Sequence, residues 1–253
     1  MEITIIWMYI GFLLAAYSVI ANDSIQTLGT FLASNKEHFS WYTLWIAASI
    51  MMVFTISYGW VNYNGDIAYG RLTRIPFQEV QWYHAAAPAV LLLLTRKGVP
   101  VSTTFLVLSA FASFTVLEKM LMKSIVGYGV AALAAYLIWV VLERYINEKK
   151  DHPEHIKFWR VGQWVTSGWL WFAWLQHDMA NIAVFLPRQL ALGDLMMVLF
   201  STVAILGYVF YTGGGRIQEV VINKHGTRFA RSSTIINLVY AFILYFFKEL
   251  NDL

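Results

Sequence analysis

Long apolar runs alternate with short polar segments along the chain, which is the pattern of a protein that crosses a membrane several times. Residues 3–21, 41–62, 121–142, 164–186 and 190–211 are apolar runs of about 20 residues, the length of a membrane-spanning helix. The first run continues, with more polar residues, to about Ser34. The pattern therefore predicts an all-α integral membrane protein.

Three further apolar runs, residues 83–95, 101–116 and 234–247, are short for a full crossing. The first two flank a short tip at residues 96–100, and we interpret them as a re-entrant hairpin that leaves and returns on one side. The alternative is that both legs cross. Polar residues 63–80 and a basic stretch with three glycines, residues 213–231, are predicted to be loops.

The hairpin interpretation fixes the predicted topology. Each half of the chain then crosses three times, so the second half is inverted relative to the first. More Lys and Arg residues fall on the face that contains residues 143–160 and 213–231 than on the opposite face. The positive-inside rule places that face in the cytoplasm and the N-terminus outside.

Composition narrows the class of protein further. Hydrophobic residues make up 58% of the 253 residues and charged residues 13%, with a net charge of +3. A soluble fold could not bury this much apolar surface, and disorder or nucleic-acid binding is disfavoured. The chain has no cysteine, so disulfides and thiolate metal sites are excluded. Neither Lys nor Arg precedes the first run, which argues against a cleaved signal peptide and favours a cell (inner or plasma) membrane protein.

An internal repeat emerges when the polar interruptions of two spans are compared. Residues 21–26 read Ala-Asn-Asp-Ser-Ile-Gln and residues 176–181 read Gln-His-Asp-Met-Ala-Asn, with Asp178 following Asp23 by 155 residues. We interpret residues 1–146 as a first transmembrane repeat, 147–158 as a charged linker and 159–253 as an incomplete second repeat. Duplicated halves of this kind are typical of inverted-repeat secondary transporters.

Asp23 and Asp178 carry the clearest chemical signal in the sequence. A carboxylate at membrane depth costs about 2.5–3.5 kcal/mol on insertion scales, so it faces a cavity or a partner. Carboxylate and amide oxygens at Asn22, Asp23, Asp178 and Asn181 are the ligand types that a hard cation prefers. The alternative is a structural polar network between helices.

The second signal is the segment Gly98-Val99-Pro100-Val101-Ser102-Thr103-Thr104. Proline suits the first turn of a helix, and Ser and Thr cap helices well. A helix that starts here would direct free N–H groups and three hydroxyls at an anion. The alternative is an ordinary capped helix start at the membrane surface.

These motifs resemble those of the inorganic phosphate transporter family, the phosphate/sulfate permeases. The resemblance rests on Asn22-Asp23 with Gly29-Thr30, on the segment 98–104, and on Asp178 with Ala180-Asn181. It implies cation-coupled phosphate uptake by an all-α fold, with no covalent catalysis and therefore no enzyme. Phosphate would contact Ser102, Thr103, Thr104, Asn22 and Asn181. Asp23, Asp178, His177 and Gln26 would bind or couple the cation, with Asp23 and Asp178 as the metal ligands if the ion is Na⁺.

The sequence departs from the family pattern at several positions. Gln26 and His177 stand where the family has Asn, and Phe105 replaces the His that follows Ser-Thr-Thr. Histidine titrates near neutrality, so His177 beside Asp178 would suit coupling to H⁺ in place of Na⁺. The alternative is a histidine that is hydrogen-bonded to a neighbouring helix. A second Pro-x-Ser-Thr-Thr is expected just beyond Leu253, which indicates a chain truncated at its C-terminus. The resemblance predicts no cofactor besides the coupling ion.

Three other interpretations remain open at this level. Sulfate transport on the same fold differs only in the anion. A haem-binding membrane subunit would use His84 and His177 as axial ligands. A non-transporting scaffold would not need paired aspartates at membrane depth. The lipid bilayer and the anion are the predicted partners, and a homo-oligomer is compatible with the sequence.

Overall fold

Apolar runs fold into long helices in the computed structural model, which describes residues 2–146, 155–225 and 229–252. The helices, in chain order, are α1 (Glu2–Val19), a π-helical turn (Ile20–Ser24), α2 (Ile25–Asn35), α3 (Trp41–Asn62), α4 (Ala86–Arg96), α5 (Thr103–Leu108), α6 (Phe114–Ile146), α7 (Ile156–Ala183), α8 (Leu192–Tyr211), α9 (Gly215–His225) and α10 (Ala230–Asp252).

Three helices among the described residues are long and apolar enough to cross a membrane. They are the run Ile3–Asn35, which joins α1, the π turn and α2, together with α3 and α8. The prediction of a helical membrane protein is confirmed at this level. The predicted spans 121–142 and 164–186 are helical within α6 and α7, except that α7 ends at Ala183. The predicted linker falls mostly outside the described residues, and α7 begins within it at Ile156.

The first long helical run packs antiparallel to α7. Near one end, a Cβ placed on Gly11 would lie 2.4 Å from Cδ1 of Phe185, which follows the end of α7 at Ala183. Near the other end, Asn35 Nδ2 donates to Gln163 Oε1 at 2.9 Å. Residue numbers therefore increase along the first run in the direction in which they decrease along α7. This antiparallel arrangement brings the turn at Asp23 opposite the stretch around Asp178.

Helices α3 and α8 form a second antiparallel pair. The indole of Trp45 donates to the Val203 carbonyl at 3.0 Å, and the indole of Trp60 donates to the Leu190 carbonyl at 2.8 Å. Tryptophan near each end of α3 therefore fixes the register of α8. The apolar core lies between these two pairs, with Phe12, Met52 and Phe185 fully buried.

Helices α4 and α5 pack against each other and form a helical hairpin, whose tip comprises residues 97–104. Gly98 adopts a φ of +77°, in the left-handed region that favours glycine, and it ends α4. Helix α4 then packs on α1, and α5 packs on α7. The leg predicted at 101–116 is helical only over α5, because the chain turns at 109–111 before α6 starts at Phe114.

The prediction of a loop over residues 213–231 is wrong in part, because this segment contains the 11-residue helix α9. Ile217 and Val221 are spaced by one helical turn and both are buried, so one apolar side of α9 packs on α2. The sequence pattern did not predict this short amphipathic helix, because basic residues are frequent in the segment. Helix α10 is also longer than the predicted leg 234–247, and it extends over Ala230–Asp252.

The close contact at Gly11 supports a stability prediction. We expect Gly11→Ala to lower the unfolding temperature of the detergent-solubilised protein by several degrees, because overpacking a buried contact costs about 1–3 kcal/mol. The added methyl group would meet the ring of Phe185, which is fully buried and has no free space to move into. Gly127→Ala in α6 is the matched control, because nothing lies within 4 Å of its added Cβ. Equal unfolding temperatures for the two variants would contradict this account of the packing.

Candidate functional site

The π-helical turn holds the first aspartate at the point where α1 passes into α2. A π turn widens a helix and leaves backbone carbonyls that side chains can satisfy. Ser24 Oγ donates to the Ile20 carbonyl at 2.5 Å, and Thr27 Oγ1 donates to the Asp23 carbonyl at 2.7 Å. Asn22 is fully buried and Asp23 is 4% exposed. The turn thereby aims an amide and a carboxylate into the protein interior.

The tip of the hairpin reaches this turn. Thr103 Oγ1 donates to Asp23 Oδ2 at 2.7 Å, and Asn22 Nδ2 donates to the Val101 carbonyl at 3.1 Å. Asn22 Nδ2 also donates to Asp23 Oδ1 at 2.6 Å. Both oxygens of the Asp23 carboxyl group are therefore held by neutral donors.

Helix α7 closes the network from the opposite side. Asn181 Nδ2 donates to Thr103 Oγ1 and to Thr104 Oγ1, each at 3.1 Å. Asn22, Asp23, Thr103, Thr104 and Asn181 therefore form one connected set of hydrogen bonds. This set joins the turn at Asp23 and the stretch around Asn181 to the hairpin tip, and about 80 residues of sequence separate each of them from the tip.

Asp178 joins Asp23 at a small cavity. The cavity holds about 10 Å³, which is room for about one water molecule, and it is too small for a tetrahedral anion. Its polar lining consists of Asp23, Asp178 and Thr202. The remaining lining is apolar and comprises Val19, Ile20, Met52, Trp171, Leu175, Met179 and Ile182. Two carboxylates that share so small an apolar space repel each other, so a cation or a proton between them would be stabilising.

Several acceptors at this site have no hydrogen-bond partner. They are Asn22 Oδ1, Asp178 Oδ2 and Asn181 Oδ1, and all three are buried. Buried acceptors are almost always paired, so an unpaired group of them marks a place where an ion or water binds. Among the described residues no group of three or more His, Cys, Asp and Glu side chains could hold a metal ion. Amide oxygens would therefore have to complete any cation shell formed by the two aspartates.

Three of the predicted site residues lie outside both this network and the cavity. Ser102 is exposed, and its Oγ accepts from the Phe105 N–H at 3.4 Å as the N-cap of α5. Gln26 is also exposed. His177 is about 43% exposed, with Nδ1 at 3.8 Å from Asp178 Oδ1, so it lies beside the site. The sequence predicted a helix whose N-terminus would face the anion, and this helix is α5. Because α5 has only six residues, its dipole is small.

Two residues that the sequence did not single out belong to the site. Thr202 on α8 lines the cavity, and Trp174 lies one helical turn before Asp178 on α7. The indole nitrogen of Trp174 is buried and interacts with the Asp178 carboxyl group, so it is a hydrogen-bond donor beside the second aspartate. Trp174 precedes Asp178 by four residues, and this spacing could have indicated from the sequence that the two side chains lie on the same side of α7. The other tryptophans in this stretch make Trp174 hard to single out.

His84, the other histidine of the haem interpretation, is engaged in packing. Its ring stacks on Phe111 with centroids 4.3 Å apart, and its Nδ1 accepts from the Gln81 N–H at 2.9 Å. It is 1% exposed. These contacts give His84 a structural role next to α4.

The fold and the site define a helical membrane protein with a buried carboxylate, amide and hydroxyl network at the meeting point of α1, α2, α7 and the hairpin tip. Comparison of the chain with protein-family models, with curated proteins and with solved structures gave no match. The function is therefore argued from the site itself.

Proposed function

We propose that the protein is a secondary transporter that carries inorganic phosphate into the cell together with Na⁺ or H⁺. The observation that carries this proposal is the network that links Asp23, Thr103 and Asn181 in the protein interior. Charged and polar side chains at membrane depth are costly, and they are typical of ion and substrate sites. The hydroxyl groups of a hairpin tip and the carboxylates of two long helices meet here.

The arrangement of helices supports an inverted repeat as the architecture behind this function. The first long run and α7 are antiparallel, and so are α3 and α8. Helix α4 packs on α1, and α10 packs on α7. Halves related by a twofold axis in the membrane plane would pair in this way, with the site near the midplane.

Each group has a role in the proposed cycle. The cation binds between Asp23 and Asp178, where the free amide oxygens of Asn22 and Asn181 complete its shell. Thr103, Thr104 and the Asn181 amide hold the phosphate oxygens, with Ser102 at the exposed edge. Two carboxylates whose charges are not neutralised by a cation repel an anion, so phosphate binds well only after the cation has bound. This order couples the two ligands.

A transport assay tests the proposal directly. We expect proteoliposomes that contain the full chain to accumulate labelled phosphate when an inward Na⁺ or H⁺ gradient is imposed. Collapsing each gradient separately identifies the coupling ion. Absence of uptake above empty liposomes under both gradients would refute the proposed function.

Sulfate is the second anion that this site would fit, because the hydroxyl and amide donors suit either tetrahedral oxyanion. We expect excess unlabelled phosphate to abolish uptake of labelled phosphate and equal sulfate to leave most of it. The reverse order would identify a sulfate transporter on the same architecture.

A further inference from the structure

A second set of buried polar side chains runs along the interface of α2, α7 and α10, outside the site described above. We call this set the polar seam, and its members are Thr30, Ser34, Asn35, Arg160, Gln163, Ser167, Ser233 and Asn237. All of them except the half-buried Arg160 are at most 6% exposed.

The deep part of the seam connects all three helices. Thr30 Oγ1 donates to Asn237 Oδ1 at 3.2 Å, and Ser233 Oγ lies 3.1 Å from Thr30 Oγ1. Asn237 Nδ2 then donates to Ser167 Oγ at 2.7 Å. Each helix contributes a hydroxyl or an amide to this layer, so the layer can rearrange its hydrogen bonds when the helices shift.

The outer part of the seam is a tight closure at the C-terminal end of α2. Gln163 donates to Ser34 Oγ, and Asn35 Nδ2 donates to Gln163 Oε1 at 2.9 Å. Arg160 Nη1 donates to the Ser34 carbonyl at 2.7 Å and to Asn35 Oδ1 at 3.2 Å. A cation at the last carbonyls of a helix is also favoured by the helix dipole.

The seam leads to the aspartates. Thr27, Thr30 and Ser34 follow Asp23 at spacings of four, three and four residues, so they lie on one side of α2. Eleven residues at 1.5 Å per residue give about 16 Å, roughly half the thickness of the hydrocarbon core. Holding three helices together in a membrane takes only a few polar contacts, whereas a row of polar side chains that extends along a helix from the site towards the surface is typical of an ion pathway.

We propose that the polar seam is the aqueous route between the Asp23–Asp178 site and the membrane face at which α2 ends and α7 begins. The closure formed by Asn35, Gln163 and Arg160 is its gate, and the structure holds that gate shut. This inference rests on the proposed transport function, but it concerns the route and not the ligand.

Cysteine accessibility tests the route, and the chain suits it because it contains no native cysteine. Ser34→Cys and Ala33→Cys form a matched pair, since both residues are small, adjacent and 6% exposed. We expect a membrane-impermeant methanethiosulfonate, added to vesicles from the side of Arg160, to modify Ser34→Cys at least tenfold faster. Phosphate with the coupling ion should change that rate further, because transport opens and closes the gate.

Equal slow modification of both cysteines would overturn the inference and leave the seam as a structural contact. Thr30→Cys, one layer deeper, provides a second comparison with Ala33→Cys if Ser34→Cys is not recovered in the membrane. Phosphate uptake by the unmodified protein is measured in parallel. Uptake without selective labelling refutes the route alone, whereas selective labelling without uptake refutes phosphate transport and leaves the route intact.

Discussion

Asp23→Asn is expected to reduce cation-coupled phosphate uptake by about 100-fold. Asp23 accepts hydrogen bonds from Thr103 Oγ1 and Asn22 Nδ2 on its two carboxyl oxygens. Hydrogen bonds to a charged group contribute about 1.5–3 kcal/mol each, and an Asn amide replaces one of the two acceptors with a donor. The substitution also removes the charge that would attract the cation, so both parts of the site are weakened together.

Initial rates of labelled phosphate uptake in proteoliposomes measure this effect, with variant and wild-type protein reconstituted at equal density. Gln26→Ala is the matched control, because Gln26 lies three residues away on the same helix but is exposed. It should retain the wild-type rate. Uptake by Asp23→Asn at the wild-type rate, with unchanged dependence on Na⁺ or H⁺, would remove Asp23 from the mechanism.

Thr103→Val is expected to lower uptake at least tenfold, more than any other single change at the hairpin tip. Valine keeps the shape of threonine but loses the hydroxyl that donates to Asp23 and accepts from Asn181. The change leaves Asp23 Oδ2 without its donor, at about 1–3 kcal/mol for an unpaired buried polar group, and leaves Asn181 Nδ2 with Thr104 Oγ1 as its remaining acceptor. Ser102→Ala should change uptake less than about threefold, because Ser102 is exposed and only caps α5 at a donor–acceptor distance of 3.4 Å.

Thr103→Ser distinguishes a role of the hydroxyl from a role of side-chain shape. It retains the donor and the acceptor, so its uptake should stay within about threefold of wild type. A larger loss in Ser102→Ala than in Thr103→Val would place the anion at the exposed edge of the tip and would contradict the roles assigned here. Surface expression of each variant is compared first, so that a folding defect is recognised as such.

Much of the site could be predicted from the sequence because its residues occur in unusual places. Asp23 and Asp178 interrupt apolar runs, and a carboxylate in such a run needs a partner. The hydroxyls of Thr103 and Thr104 follow a proline in a short segment between two apolar legs. These local patterns indicated the groups that the structure joins, although they could not give the pairs of atoms that bond.

The sequence could not separate the buried candidates from the exposed ones, because burial depends on neighbours that are distant in sequence. Ser102 and Thr103 are adjacent and chemically alike, yet only Thr103 points at Asp23. The same holds for Gln26, which lies in the same long helical run as Asp23 but is exposed. Helix α9 was hidden because its charged residues outweigh the two apolar residues that pack on α2.

The sequence by itself determined that this chain folds into apolar helices and that two carboxylates lie within them, since length and hydropathy act through local preferences and the membrane. Only the tertiary structure decided which side chains meet. The antiparallel register of the long helices brings Asp23 to Asp178, and the packing of α10 on α2 and α7 assembles the polar seam. Register depends on the fit of particular side chains, such as Gly11 against Phe185, and no single segment of sequence contains both partners.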